Sequence, residues 1–183
     1  GPAGATAALY ASRLGLKAIL VDKSIWPRDK ICGDALSGKV VDMLKDLDIL
    51  DEVKSLDGTT INRIIFGSPK NKIFEINLSE SLNNEHIKEG YVIPRKTFDY
   101  FLFNKAKEVI EVVEGFNVQD ILTNNQSVVG VKGLNKEGKV EEIFGSVVLG
   151  CDGYNSIVAK KLNLYKMDMN HTALAIRCYY EGV

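Results

Sequence analysis

The sequence has few cysteines, almost no net charge and no long hydrophobic run, and each shortage excludes a class of protein. Three cysteines among 183 residues, with no CxxC pair, form no disulfide framework and favour a reducing compartment. Because 23 Lys and Arg balance 24 Asp and Glu, the chain lacks the basic excess of a dedicated nucleic-acid binder. No apolar run reaches the roughly 18 residues that span a bilayer. No charged leader precedes an apolar segment, so we expect a cytoplasmic protein.

The composition is otherwise that of an ordinary folded protein, with 45% hydrophobic and 26% charged residues, which argues against a disordered chain. Apolar residues at helical spacing predict helices over residues 2–14, 37–54, 95–108 and 156–162. Short apolar or alternating runs predict strands over residues 17–22, 60–67, 72–78, 91–93, 109–113, 116–122, 127–134, 139–144, 146–150 and 172–180. The polar stretch 79–90 is typical of a loop. The runs 17–22 and 146–150 have the apolar character of buried parallel strands, which indicates an α/β fold.

The first motif is the start of the first predicted helix, Gly1-Pro2-Ala3-Gly4. A dinucleotide-binding fingerprint, GxGxxG, joins a strand to a helix and is followed by an acid about 20 residues on. Gly1 and Gly4 match its second and third glycines, and Asp22 ends the next predicted strand. The helix start would offer N–H groups to phosphates, and Asp22 would accept hydrogen bonds from a ribose. The alternative is a glycine-rich helix start with a chance acid. The fingerprint implies a fragment whose first strand and first glycine lie outside the sequence.

The second motif is the turn-rich segment PRDKICGDALSG at residues 27–38. Its glycines allow tight backbone near a ligand, and Cys32 and Asp34 could contact the reacting groups. The alternative is a loop that caps the next helix from Ser37, with Cys32 as a buried small hydrophobic residue. A Cys-His nucleophile has no support, because no histidine lies nearby in the sequence.

The third motif covers residues 147–162, VVLGCDGYNSIVAKKL. Gly150 and Gly153 permit a sharp turn from strand to helix, and Asp152 lies at the tip of that turn. Such an acid can contact a ligand at the end of a strand. The alternative is that Asp152 or Ser156 caps the helix that follows, which is compatible with a function.

Arg95 is the fourth candidate, because an arginine at a helix start opposes the helix dipole. The placement is reasonable if the guanidinium meets an anion, and the alternative is a solvent-exposed arginine. His86 and His171 lie in polar surroundings without the spacing of metal ligands, so we predict no metal site.

The order of these segments is more specific than any one of them. GPAGATAA, ILVDK, PRDKICGDALSG, YVIPRKTFDYFL and GCDGYNSIVAKKL together resemble the FAD-dependent oxidoreductases of the para-hydroxybenzoate hydroxylase type. CGDALSG and AIRCYYEGV are most similar to the geranylgeranyl reductase family. The resemblance implies a Rossmann-like FAD-binding domain without its first strand, a small antiparallel β meander and the start of a substrate domain. The implied divisions are 1–59 and 94–165 for the FAD-binding domain, 60–93 for a strand excursion and 166–183 for the substrate domain.

The resemblance also assigns the cofactor-binding residues. Gly1, Ala3 and Gly4 would lie at the FAD pyrophosphate, and Asp22 with Lys23 at the adenosine ribose. Beside the isoalloxazine and the substrate the family places Cys32, Gly33 and Ala35, with Cys32 at the reacting face as the one catalytic candidate. Further FAD contacts fall on Arg95, on Val118 at the adenine side, and on Asp152 and Gly153, which would also guide a nicotinamide cofactor.

The activity implied by the resemblance is reduction of C=C bonds in an isoprenoid lipid by hydride from reduced FAD. NAD(P)H is a candidate electron donor, and a lipid substrate implies peripheral contact with a membrane. The later Gly-Asp motif and the aromatic-Pro motif of such enzymes are not in the sequence. The alternatives are an FAD-dependent monooxygenase of the aromatic hydroxylase type, a flavin-dependent halogenase, and a catalytically incomplete FAD-domain fragment. The oligomeric state is not predicted.

Overall fold

The computed structural model describes residues 1–36, 38–78 and 90–182. The chain divides into two compact units. Unit 1 comprises Gly1–Arg28 and Leu102–Val183, and unit 2 comprises Asp29–Phe101. The chain combines helices with a parallel strand pair and small antiparallel sheets, which confirms the predicted mixed α/β class. The four domain divisions implied by the sequence stay predictions.

Unit 1 begins with helix α1 (Pro2–Arg13), whose small residues let it pack closely on its neighbours. The helix ends as predicted, with Gly15 in the left-handed conformation at φ 69°. Strand β1 (Ile19–Asp22) follows and pairs in parallel with β7 (Glu111–Glu114). The helix and the strand therefore form at the positions that the fingerprint requires.

Unit 1 also contains an antiparallel meander. It consists of β8 (Asn117–Asn124), β9 (Ser127–Leu134) and β10 (Val140–Phe144), with β9 in the middle. The predicted turn at residues 135–138 forms, because Asn135 Oδ1 accepts from the N–H of Lys139 and the turn closes through the Asn135 N–H. A short helix, α5 (Ile157–Lys161), follows the meander, and a 3-10 turn covers Met169–His171.

Unit 2 contains two short helices where the sequence predicts one over residues 37–54. Helix α2 (Lys39–Asp46) and helix α3 (Leu50–Lys54) are separated at Asp48, whose φ of 59° is incompatible with a continuous helix. Helical spacing predicts an apolar face made of Val40, Val41, Leu44, Leu47, Leu50 and Val53. Four of these residues are buried, whereas Val40 and Leu47 are half-buried. Ser37, the predicted cap, lies outside the described residues, and α2 starts from Gly38 without a side-chain cap.

The strands of unit 2 form two small antiparallel sheets. One has the order β2 (Ala35–Leu36), β6 (Gly90–Val92), β3 (Thr59–Ile61), and the other is the hairpin of β4 (Arg63–Gly67) and β5 (Ile73–Asn77). The predicted strand 60–67 is therefore two strands in different sheets. The short β2 was not predicted, because two residues carry no periodic signal. Most of the predicted loop 79–90 lies outside the described residues, and Gly90 belongs to β6.

Helix α4 (Arg95–Val109) confirms the prediction for residues 95–108. Helical spacing predicts that Phe98, Phe101, Leu102 and Ala106 face inward. Three of them are buried, whereas Phe101 is only half-buried. Phe103 is buried instead, at 1% exposure, because its ring stacks on Trp26 from a distant part of unit 1.

Two strand predictions are wrong, namely 146–150 and 172–180, since neither segment has strand structure. Val147 and Leu149 are 75% and 68% exposed, and Leu174 is 97% exposed, so these apolar residues are not in a core. A strand forms only where a neighbouring strand completes its hydrogen bonds. The described residues provide no such neighbour for either segment.

Candidate functional site

The start of helix α1 lies against β1 in unit 1, and glycine permits this approach. A β-carbon at Gly4 would lie 3.1 Å from Leu20 Cδ1 and 3.5 Å from Cys151 Cβ. Gly4 therefore brings the helix start next to both the first strand and the segment that precedes Asp152. The first N–H groups of a helix have no acceptor within the helix, so this end is suited to bind an anion.

Asp22 ends β1 beside the same helix start. Its Oδ2 accepts a hydrogen bond from the Gly1 nitrogen at 2.9 Å, and its Oδ1 accepts from the Ser24 N–H at 2.9 Å. Burial acts to raise the pKa of Asp22, but the Ser24 hydrogen bond, the hydrogen bond and charge of the Gly1 amino group and the positive charge of Arg28 together outweigh it and hold the pKa below its ordinary value. The structure thus places an ionised carboxylate next to the anion-binding end of α1, as the fingerprint predicts.

Arg28 lies at the same place, although the sequence analysis did not single it out. Its Nη2 is 3.0 Å from the position of a β-carbon at Gly1, and its positive charge contributes to the lowered pKa of Asp22. Its guanidinium carbon is 4.4 Å from the centroid of the Trp26 ring. An arginine in a turn has no periodic or spacing signal, and the one available clue was its position shortly after the predicted acid.

Asp152 and Ser156 both cap α5, as the structural alternative for this motif predicts. Asp152 Oδ2 accepts from the N–H groups of Ile157 and Val158 at 2.7 and 3.2 Å, and Ser156 Oγ accepts from Ala159 at 3.0 Å. Partial burial acts to raise the pKa of Asp152, but hydrogen bonds led by that of Ser156 hold the pKa below its ordinary value. The predicted turn forms, with Gly153 at a φ of 78°.

This cap makes stability depend on pH. A carboxyl whose pKa is lowered by folding stabilises the folded state above its unfolded pKa, and that stabilisation is lost as the pH falls through the folded value. We therefore expect Asp152→Asn to reduce the fall in unfolding free energy between about pH 5 and pH 2. Urea denaturation followed by circular dichroism across this range measures it. An unchanged pH dependence in the variant would contradict the assignment.

In unit 2, Arg95 is buried at 7% exposure, so the alternative of a solvent-exposed arginine is wrong. Its Nε and Nη2 donate to the two carboxylate oxygens of Asp99 at 2.8 and 2.9 Å. The anion that the arginine meets is thus four residues along its own helix. The backbone N–H of Arg95 donates to Asp34 Oδ1 at 3.1 Å, which joins the PRDKICGDALSG segment to the start of α4.

The remaining predicted site residues are distributed over both units. Cys32 and Gly33 are exposed in unit 2, which contradicts the alternative of a buried Cys32, and Ala35 pairs with Val92 in the small sheet. In unit 1, Lys23 is exposed after β1, and Val118 is half-buried on β8. Phe116 leads into β8, and its N–H donates to the backbone oxygen of Asp22 at 3.1 Å.

The described residues contain no membrane-spanning helix, no cluster of metal ligands and no disulfide. No described helix is long and apolar enough to cross a membrane. No group of three His, Cys, Asp or Glu in the part of the chain that the structure describes could hold a metal ion. The three cysteines are all described, and none is in a disulfide.

Residues 1–177 match the family described as FAD binding domain. The chain belongs to this family. FAD is therefore its cofactor, as the resemblance implies, and the broad likeness to FAD-dependent oxidoreductases is confirmed.

Curated relatives of this FAD-binding chain have names that denote different activities. The digeranylgeranylglycerophospholipid reductase of Methanothrix thermoacetophila is 30% identical over 165 residues, 87% of this chain and 39% of the reductase. The 1H-pyrrole-2-carbonyl-(peptidyl-carrier protein) brominase of Pseudoalteromonas luteoviolacea is 25% identical over 190 residues, 100% of this chain and 43% of the brominase. The chain thus spans about two fifths of the length of the curated relatives it matches.

A solved flavoprotein has the same fold. The flavoprotein/dehydrogenase of Cytophaga hutchinsonii superposes with a TM-score of 0.81 at 25% identity, over 92% of this chain and 41% of that one. The mixed α/β architecture is therefore that of an FAD-binding flavoprotein domain.

The residues at the start of α1 fit FAD. An adenosine diphosphate group needs positive potential at its phosphates and an acceptor at its ribose hydroxyls. The helix start and Arg28 provide the positive potential, and the ionised carboxylate of Asp22 provides the acceptor for the ribose. Gly4 keeps the helix start close enough to β1 for these groups to act on one ligand.

Proposed function

We propose that the chain forms the FAD-binding part of a reductase that saturates C=C bonds of an isoprenoid lipid. The observation that carries the proposal is the similarity to the digeranylgeranylglycerophospholipid reductase, 30% identical against 25% for the brominase. FAD, when bound, supplies the hydride for this reaction. A lipid substrate would bring the protein into contact with a membrane surface, and NAD(P)H is the proposed electron donor.

The proposed binding mode for the ADP half of FAD follows from the geometry of unit 1. The N–H groups of Ala3 and Gly4, at the start of α1, would donate to the pyrophosphate, and Arg28 would add a positive charge. Asp22 would accept hydrogen bonds from the adenosine ribose, with Lys23 beside it. Val118 would border the adenine.

The resemblance also supplies the residues proposed for the flavin end. Cys32, Gly33 and Ala35 would line the isoalloxazine and the substrate, and Arg95 would contact FAD from the start of α4. Because Arg95 donates to Asp99 through Nε and Nη2 and to Asp34 through its backbone N–H, its contact with FAD would use the other N–H groups of its guanidinium. Asp152 and Gly153 would help to hold FAD and guide the nicotinamide cofactor.

The function predicts separate effects of Cys32→Ala on two half-reactions. In the full-length protein, flavin reduction should keep its rate, because the electron donor does not need the thiol. Reduction of the isoprenoid alkene should fall about tenfold, since each tenfold corresponds to about 1.4 kcal/mol of transition-state stabilisation. The measurements are anaerobic flavin bleaching near 450 nm and a mass increase of about 2 Da per saturated double bond.

The exposed Cys178 provides the control, because Cys178→Ala also removes an accessible thiol. This variant should behave as wild type in both half-reactions. Unchanged alkene reduction in Cys32→Ala would remove Cys32 from the reacting face while leaving the reductase function intact. Absence of alkene reduction in the wild-type protein would reject the function itself.

The second candidate is an oxygen-dependent enzyme, either a halogenase or a monooxygenase of the aromatic hydroxylase type. It is favoured by the brominase similarity, which extends over 100% of this chain. Oxygen consumption coupled to a halogenated product would support the halogenase, and oxygen consumption coupled to a hydroxylated product would support the monooxygenase. Alkene saturation without oxygen would exclude both.

A further inference from the structure

Arg28 is the end of an aromatic column in unit 1. Its guanidinium lies over the ring of Trp26, which is buried at 8% exposure. Trp26 in turn stacks on Phe103 of α4, with ring centroids 4.5 Å apart and planes 12° apart. Lys107 Nζ is 5.9 Å from the Phe103 centroid. Each of the two stacked rings therefore has a cation near it.

The column is fixed to the sheet as well as to the helix. Glu114, the last residue of β7, accepts from the Trp26 backbone N–H at 2.9 Å through Oε2. The other oxygen of the same carboxylate accepts from Lys107 Nζ at 3.0 Å. One side chain thus holds both the Trp26 backbone and Lys107, which fixes the position of these two residues relative to β7.

An arginine needs such a support if it is to contact phosphate from a turn. The side chain has several rotatable bonds, and ordering it costs conformational entropy at the moment of binding. A guanidinium already stacked on an indole loses less of that entropy, because its plane is held before the anion arrives. The position of Arg28 beside Gly1 places this guanidinium at the start of α1.

We propose that Trp26 is a positioning residue for FAD: it holds Arg28 at the start of α1, so that the guanidinium meets the cofactor's phosphates without reorganisation. The proposal rests on the placement of the FAD pyrophosphate given under the proposed function. It adds that the affinity contributed by Trp26 acts through Arg28.

A double-mutant cycle on the full-length apo-protein tests the positioning role of Trp26. The affinities for ADP and for FAD are measured separately by isothermal titration calorimetry. Arg28→Met should weaken both ligands about tenfold, the loss of one charge-assisted contact. Trp26→Leu should weaken them about fivefold, and Trp26→Phe less, because a phenyl face keeps part of the cation–π attraction. In the Arg28→Met background, neither change at Trp26 should weaken binding further, since the group that it positions is absent.

The outcomes distinguish the placement of the FAD phosphates from the positioning role of Trp26. Unchanged affinity in Arg28→Met would overturn the placement of the phosphates, and the proposal with it. In a second outcome, Arg28→Met weakens ligand binding, but a change at Trp26 lowers the affinity equally with and without Arg28. That result would overturn only the positioning role of Trp26, because Trp26 would then act through the fold. If circular dichroism shows that Trp26→Leu does not fold, the affinities of Trp26→Phe in the two backgrounds decide whether Trp26 positions Arg28. Tyr179→Leu, which removes an arginine–aromatic pair with Arg177 elsewhere, should leave both affinities unchanged.

Discussion

Replacing Asp99 with asparagine is expected to lower the free energy of unfolding by about 3 kcal/mol, because it leaves a buried cation without its anion. Asp99 is fully buried, and its two carboxylate oxygens accept from Arg95 at 2.8 and 2.9 Å. An amide offers one acceptor oxygen and places an NH₂ group against the other guanidinium nitrogen. Chemical denaturation of the full-length variant and wild type measures the difference.

The matched control removes both charges. In Arg95→Met with Asp99→Leu, no charge remains buried, and such replacements of buried ion pairs are often neutral or stabilising. We expect the double variant to be more stable than Asp99→Asn alone. If Asp99→Asn is as stable as wild type, the pair contributes little and Arg95 must be compensated by other groups.

The pair also bears on the cofactor site, since it fixes the residue that binds Asp34. The Arg95 N–H donates to Asp34 Oδ1, and the Ile93 N–H donates to the Asp34 backbone oxygen at 3.0 Å. The segment that contains Cys32 and Gly33 is thereby anchored to the entry of α4. A structural role of the pair and a cofactor role of this segment are compatible.

The arrangement of the start of α1 and Asp22 in unit 1 was predictable because the sequence motifs that indicate it are local. The glycine spacing, the small residues of α1 and the acid after β1 lie within 22 residues of sequence, and each corresponds to a conformation that those residues favour. The hairpin turn at residues 135–138 was predictable for the same reason. The family followed from the order of such local motifs.

What could not be predicted depends on contacts between distant residues. Trp26 meets Phe103, and Glu114 binds the Trp26 N–H 88 residues away, so no window of sequence contains the column. The same limit explains the wrong strand predictions. Residues 146–150 have the composition of a buried strand, but a strand also needs a neighbour, and composition does not report one.

Gly4→Val is expected to have the largest effect on the cofactor. A β-carbon at Gly4 would already lie 3.1 Å from Leu20 Cδ1 and 3.5 Å from Cys151 Cβ, and valine adds two methyl groups to that space. Overpacking of this kind costs about 1–3 kcal/mol of stability. Because the tip of Leu20 can yield by only a few tenths of an ångström, we expect α1 to move away from β1 and its first N–H groups to move away from Asp22. We expect FAD affinity to fall by more than tenfold, as measured by flavin fluorescence on titration of the full-length apo-protein.

Substitutions of increasing size at Gly4 separate the effect of side-chain packing from the effect of replacing a glycine in the helix backbone. Gly4→Ala should be nearly neutral, because the flexible tip of Leu20 can yield by a few tenths of an ångström and alanine favours the helix by about 0.5–1 kcal/mol. Ala3→Val introduces the same β-branched side chain at an exposed position of the same turn, so its stability should stay within about 0.7 kcal/mol of wild type. If Gly4→Val binds FAD as tightly as Gly4→Ala does, close packing of α1 on β1 is not what holds the cofactor, and Asp22 and Arg28 must suffice without it.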